Sequence, residues 1–187
     1  MDSRKKRSRA AIRAAFLELL AEKDYGKITV DAVLTRAGVG RATFYAQFKG
    51  KDDLVTDFVA DTFDGLRRLE PTSGSSGSDE LLTQVTQVFA KTLSRGPAVR
   101  ALVSGSGSRV FTDELRHAVV AHAGRVVPDC PNGLAAQIDR SFLLHHIAAT
   151  FVGAVQWWAW HGFSATPEEL AANYLRTIEP LFCCCDA

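Results

Sequence analysis

Residues 38–48 read GVGRATFYAQF, and four side chains in this stretch, Arg41, Thr43, Tyr45 and Gln47, carry directional hydrogen-bonding groups. A guanidinium is a two-pronged donor that matches the O6 and N7 of guanine. A glutamine amide pairs with adenine, and a threonine meets a thymine methyl or a phosphate. Phe44 and Phe48 lie four apart on one helical face and need a core, while the polar residues fall largely elsewhere. A short helix built this way offers its outer side to a partner. The partner this chemistry fits is a base-pair edge in the major groove, which is wide enough to admit an α-helix. Thr29 and Lys51 stand at expected helix starts, where a side chain and free backbone amides together grip a phosphate, and Lys49 adds a cation between them.

The charge distribution points to the same partner. Residues 1–51 hold 12 Lys and Arg against 5 Asp and Glu, whereas residues 52–187 hold 10 against 16. The near-neutral total therefore hides a basic end suited to a polyanion and an acidic body. Arg4, Lys5, Lys6, Arg7 and Arg9 are expected to reach the DNA backbone or minor groove as a tail. Such contacts position a protein and carry little sequence information.

Other chemistries find less support. His117 and His122 are five apart and pair with no nucleophile motif. HxxxH, HExxH, a Walker loop and GxGxxG are absent from the sequence. SGSGSR, residues 104–109, lacks the lysine that would make it a phosphate loop, and reads as a flexible loop. The cysteines, Cys130 and the terminal Cys183, Cys184 and Cys185, form no spaced metal set, and adjacent cysteines make strained disulfides. No metal and no cofactor is expected, and the chain is read as not an enzyme.

The elements that must position these residues are helices throughout. Ile12, Phe16, Leu19 and Leu20 recur at helical spacing. Gly26 suits a helix stop, Thr29 caps a second helix of about eight residues, and Gly38 turns the chain left-handed into the third. Two short helices joined by a tight glycine turn, the second polar outside, form a helix-turn-helix. A fourth helix opens at Lys51-Asp52-Asp53 and continues to about Glu70. PTSGSSGSD, residues 71–79, then reads as a flexible linker. Beyond it, helices are expected at about 79–93, 98–103, 112–126 and 133–161. A further, final helix is opened by Thr166-Pro167-Glu168-Glu169, a capping box with proline at the first position. Arg13, Glu18 and Glu22 interrupt any signal-peptide core, and no run of 18 apolar residues occurs, so a cytoplasmic protein without a membrane span is expected.

The run TVDAVLTRAGVGRATFYAQFKGKDDL, residues 29–54, closely resembles the DNA-binding motif of the tetracycline-repressor (TetR) family of bacterial transcription regulators. The shared features are threonine opening the second helix, Ala-Gly-Val in the turn, Thr-Phe-Tyr in the recognition helix, phenylalanine at its end and Lys-Asp-x-Leu at helix four. Leu34, Gly40 and Gln47 depart from the family's usual alanine, serine, and histidine or tyrosine. The resemblance covers about the first 60 residues and gives Tyr45 a phosphate-holding role.

The spacing along the chain predicts an all-α fold of about nine helices, and the resemblance implies how they are organised. An N-terminal three-helix DNA-binding domain, residues 1–50 with the motif at about 29–48, is followed by a connecting helix at 51–70 and the linker at 71–79. Residues 80–187 form a C-terminal ligand-binding and dimerisation domain. The implied protein is a homodimer on a pseudo-palindromic double-stranded operator, a repressor released by a small-molecule effector. Candidate pocket residues, chosen as aromatics with occasional polar groups, are Phe89, Leu93, Leu102, Phe111, Phe142, His145, His146, Trp157 and Trp158. The candidate dimer stripe is Leu170, Tyr174, Ile178 and Leu181. A helical adaptor that no longer reads DNA, or a small helical enzyme, is the alternative.

Overall fold

The computed structural model describes residues 3–64, 77–127 and 133–182. Among them are nine α-helices and no strand: α1 (Ser3–Glu22), α2 (Val30–Ala37), α3 (Arg41–Tyr45), α4 (Lys51–Phe63), α5 (Gly77–Leu93), α6 (Gly96–Ser104), α7 (Ser108–Val126), α8 (Arg140–Trp160) and α9 (Pro167–Ile178). The all-helical expectation therefore holds. None of the helices in the described residues is long and apolar enough to cross a membrane. Residues 71–76 of the linker, the end of helix four expected near Glu70, and all four cysteines lie outside the described residues.

Packing divides the chain into two compact units, neither of which is a single stretch. One comprises residues 1–61 and 95–114; the other comprises 62–94 and 115–187.

In the first unit, Ile12, Phe16, Leu19 and Leu20 of α1 are buried with Val33 of α2, Phe44 of α3, Phe48 and Leu54. α2 ends where the Val39 amide donates to Leu34 O at 3.2 Å and Gly38 N to Thr35 O at 3.4 Å. This hydrogen-bond pair requires a left-handed residue, and Gly38 supplies it at φ 64°. Arg36 locks α2 to α1 by pairing with Glu22 at 2.8 Å and Glu18 at 3.2 Å.

The stretch expected to be a flexible loop, SGSGSR, is instead packed. Asp24 Oδ1 accepts from Gly26 N at 2.7 Å and from Ser106 Oγ at 2.5 Å, while its Oδ2 accepts from Ser106 N at 3.2 Å. Gly105 and Gly107 are glycines because the chain comes so close here. A methyl group at Gly105 would sit 2.7 Å from Ala101 O as well as against the Asp24 carboxylate, and one at Gly107 would sit 2.8 Å from Tyr25 Cγ. Polar composition concealed a docking contact with a partner about eighty positions away. Gly96-Pro97 opens α6, with proline in the first turn where its missing N–H costs nothing.

In the second unit α5 and α8 both pack on α9. The core is aromatic: Phe89 stacks on Phe151 at 4.9 Å, Trp158 meets Phe89 edge-on at 5.8 Å, and Tyr174 meets Phe151 edge-on at 5.3 Å. The polar ends of these rings are satisfied, Trp158 Nε1 by Ala165 O at 2.9 Å and Tyr174 OH by Ile147 O at 3.1 Å. The expected capping box is present at Thr166 and Glu169. The long helix expected at 133–161 is interrupted. Residues Gly133–Gln137 form a 3-10 turn, and Asp139 starts α8 afresh by accepting from Phe142 N at 2.9 Å.

Because the approach at Gly105 leaves no room for a methyl group, Gly105→Ala is expected to destabilise the first unit by about 1–3 kcal/mol, the usual cost of overpacking. Chemical denaturation followed by circular dichroism measures it. An unchanged midpoint would mean that the 105–107 contact is not formed in solution.

Candidate nucleic-acid interface and internal cavity

α3 is held by its buried face. Phe44 is fully buried and its ring lies 5.5 Å from Phe48, which leaves Arg41, Thr43 and Tyr45 exposed. Tyr45 is 55% exposed and steadied edge-on by Phe44 at 5.3 Å. A large aromatic ring left in water at the end of a helix is free to lay its hydroxyl against a phosphate.

Arg41 is exposed but engaged: its Nη2 meets both oxygens of Asp31 in the first turn of α2, at 2.7 and 2.8 Å. Any base contact by this arginine would require giving up that pair. Asp31 also suits the positive end of α2 as an acidic residue in its first turn, and nothing in the sequence spacing announces its pairing with Arg41.

Gln47, expected to face outward, is turned in. Its Nε2 donates to Ser8 Oγ at 2.9 Å and to Thr43 O at 3.2 Å, and its Oε1 is buried without a partner among the described residues. Ser8 in turn donates to Lys5 O at 3.1 Å, so its oxygen is the acceptor for the amide and fixes which way the amide points. Gln47 thus ties α3 to α1.

Thr29 is exposed and caps α2, its Oγ1 accepting from Ala32 N at 3.1 Å. Lys51 Nζ donates to Tyr25 O at 3.0 Å and sits 4.1 Å from the centre of the Tyr25 ring. The buried Tyr25 hydroxyl donates to Asp52, and burial first, then this carboxylate, push its ionisation well above the ordinary range. Lys49 is exposed beside them, its amide donating to Asp53 at 2.7 Å.

The basic run expected as a tail is the first part of α1. Arg4, Lys5 and Ser8 bound an open hollow whose other wall is Ala42, Thr43, Ala46 and Gln47 of the recognition segment. Arg9 does not project outward. It pairs with Asp57 of α4, its Nε at 3.1 Å, and its guanidinium lies 5.0 Å from the Phe48 ring centre.

The second unit contains a cavity of about 80 Å³. Its walls come from Phe63, from Leu81, Gln84, Val85 and Val88 of α5, from Val119, His122, Ala123 and Val126 of α7, from Ile147 and Phe151 of α8, and from Tyr174, Leu175 and Ile178 of α9, with Val127 and Phe182 beside them. None of the nine residues expected in a pocket lines it. Phe89 and Trp158 are filled core; Leu102 and Phe111 are buried in the first unit; Leu93 is partly exposed; Phe142, His145, His146 and Trp157 lie on the solvent side of α8. Choosing aromatics picked out core and surface, whereas the cavity is lined by a mixture of aliphatic and aromatic residues whose spacing matches that of any packed helix.

Leu170, Tyr174 and Ile178, expected to meet a second subunit, are buried within this one, and Leu181 is half-buried. An uncovered apolar stripe occurs on α8 instead. Phe142 and Trp160 are 65% and 63% exposed, Trp157 is 45% exposed, and Ala149 and Gly153 are exposed between them.

Comparison with known proteins matches residues 12–57 to the family described as bacterial regulatory proteins, tetR family, and residues 79–180 to a transcriptional regulator C-terminal region. The HTH-type transcriptional regulator YxbF of Bacillus subtilis is 26% identical over 96% of this chain and 46% of its own length. A Mycobacterium bovis HTH-type regulator, Mb1581, is 32% identical over 58% of this chain and 54% of its own. The chain thus spans about half the length of these curated relatives. Among solved structures, a TetR transcriptional regulator from Streptococcus agalactiae 2603V superposes with a TM-score of 0.59 at 26% identity, over 95% of this chain and 96% of that one. The dihydroxyacetone kinase operon activator DhaS shares the fold, with a TM-score of 0.60 at 14% identity over 94% and 96%. With the helix-turn-helix at residues 29–48 and both halves matched, the chain belongs to the TetR family of bacterial transcriptional regulators.

Proposed function

We propose that this chain is a homodimeric, sequence-specific DNA-binding regulator of transcription in the bacterial cytoplasm, a repressor released from a pseudo-palindromic operator by a small-molecule effector. The observation that carries the reading is the exposed set Arg41, Thr43 and Tyr45 on a helix whose other face is anchored by the buried Phe44. In a groove, Arg41 reads guanine and Thr43 a thymine methyl, while Tyr45, Thr29 and Lys49 hold phosphates. Lys51, bound to Tyr25 O, keeps further N–H donors for a phosphate, and Gln47 acts by positioning α3 against α1.

The α8 stripe supports the dimer. Phe142, His146, Ala149, Gly153, Trp157 and Trp160 follow each other at steps of three and four, which is one side of a helix. A methyl group built on Gly153 meets nothing within 4 Å, so a partner helix can approach closely there. Two copies related by a two-fold axis would set their recognition helices into successive major grooves, which is why the operator should be pseudo-palindromic. The cavity supports the effector. A bound ligand can shift the protein away from DNA only by binding the released conformation more tightly.

Three measurements test this. Fluorescence anisotropy on DNA from upstream of the chain's own gene, against scrambled DNA across a salt series, should show tighter binding to the native fragment at near-physiological salt. Arg41→Ala should lose about 1–3 kcal/mol of that preference while keeping its fold. Equal, salt-erased binding to both fragments would favour the adaptor reading instead.

In the same assay, Asp31→Asn frees Arg41 from its carboxylate partner. Affinity for both fragments should rise and the ratio between them fall, since the arginine no longer has to give up an ion pair before it binds. A variant with unchanged affinity for both would mean that the pair has no part in reading DNA. Finally, Gly153→Arg should convert a dimer to a monomer in sedimentation velocity without loss of helix content. Persistence of the dimer would place the interface elsewhere.

A further inference from the structure

The cavity in the second unit has a defined chemistry as well as a volume. Its walls are aliphatic and aromatic, and no lysine, arginine, aspartate or glutamate lines it among the described residues. An anion or cation entering it would give up water with no opposite charge in return. His122 does not supply one. Burial, and then the charge of Arg125, hold its imidazole below the ordinary range and so neutral. Its Nδ1 lies 3.3 Å from Arg125 Nη2, and because arginine can only donate, Nδ1 is the acceptor and the ring's proton is on Nε2.

Gln84 supplies the unpaired acceptor of this wall. Its Nε2 donates to Glu80 Oε1 at 3.2 Å. An ionised carboxylate only accepts, so the amide cannot be flipped, and the oxygen is the end left over. That Oε1 is buried and has no hydrogen-bond partner among the described residues. A buried acceptor without a donor is a costly feature in an apolar wall, and a ligand that brings a donor removes the cost. At about 80 Å³, the space is roughly half the 150 Å³ of an apolar cavity that takes a benzene ring. A slender chain fits it better than a fused ring system.

We propose that this cavity takes a neutral, largely hydrocarbon small molecule of slender shape, whose hydroxyl or amide N–H donates to Gln84 Oε1. The inference rests on the effector reading above, and it narrows that reading by excluding carboxylates, amines and polycyclic compounds.

The test uses the full chain without DNA, titrated with three probes of matched size, 1-hexanol, methyl pentyl ether and hexanoate, and followed by amide chemical shifts. Hexanol should shift Phe63, Val88 and His122 and bind about fivefold tighter than the ether, which has no donor, while hexanoate should leave these residues unmoved. Gln84→Leu should bind both neutral probes and lose the preference between them. Any of four results overturns the proposal: no shift at cavity residues with hexanol, equal binding of alcohol and ether to the unaltered protein, hexanoate binding as tightly as hexanol, or a preference that survives in Gln84→Leu. The comparison of alcohol with ether needs no variant, so a poorly folding Gln84→Leu does not blunt it. Anisotropy on the operator fragment then separates the two readings. Hexanol that binds through Gln84 without changing DNA affinity keeps the cavity chemistry and removes effector release, whereas release by hexanoate alone does the reverse.

Discussion

The carboxylate of Asp57 is the constraint around which the DNA-reading unit is arranged. Its side chain is 5% exposed, in a position where an unpaired charge costs several kcal/mol. Two arginines of α1 meet it, Arg9 on one oxygen and Arg13 on the other, and Arg13 continues to Asp61 at 3.0 Å. Asp61 is also paired with Arg95, next to the start of α6. Burial pulls the Asp57 ionisation upward, and the two guanidinium groups outweigh it, leaving the carboxyl below its usual range. One acidic residue on α4 thereby fixes how α1 lies, and α1 in turn carries Ser8, the anchor for Gln47 and so for the end of the recognition segment.

This arrangement changes what the basic N-terminal region offers to DNA. Of its cations, Arg9 and Arg13 are neutralised by Asp57 and Asp61, Arg36 by Glu18 and Glu22, and Arg41 by Asp31. The formal surplus over residues 1–51 therefore overstates the field that a duplex meets. On the proposed reading, phosphate contacts would fall mainly to lysines such as Lys5 and Lys49 and to hydroxyls and amides at helix starts, and the neutral donors among them add nothing to the salt response. On the same reading, specificity would rest on Arg41 exchanging its Asp31 partner for a base edge. The exchange favours a guanine in the right place and gives little return on a bare phosphate.

Helix type and order were legible in the sequence because apolar spacing, Gly38 and the Thr166 capping box are local signals that local physics enforces. The anchored and exposed sides of α3 were legible for the same reason, Phe44 and Phe48 recurring at the helical period. Features that depended on distant partners were not. Gln47 looks outward until Ser8 is beside it, Asp31 looks like a dipole residue until Arg41 reaches it, and SGSGSR looks flexible until Asp24 accepts from Ser106. The cavity was hidden differently. A void is a failure of distant side chains to meet, and no residue type marks it, so a search for aromatics found the filled core around Phe89 and Trp158 and the bare side of α8.

Helix α4 joins these parts by continuity of the backbone. Asp57 and Asp61 belong to the first unit and Thr62 and Phe63 to the second, and Phe63 is a wall of the cavity. On the proposed reading, a ligand touching Phe63 acts on the last turn of the helix whose earlier turns hold α1 by Asp57. Effector couplings are typically about 1–3 kcal/mol, whereas removing a partner from a buried ion pair costs about 3–5 kcal/mol. The smaller term cannot break the larger. α4 is therefore expected not to slide past α1 when the ligand binds. α1, α4 and the helix-turn-helix should move as one body, and release from DNA would come from a change in the separation of two intact reading heads in the dimer, with each head still folded as it is here.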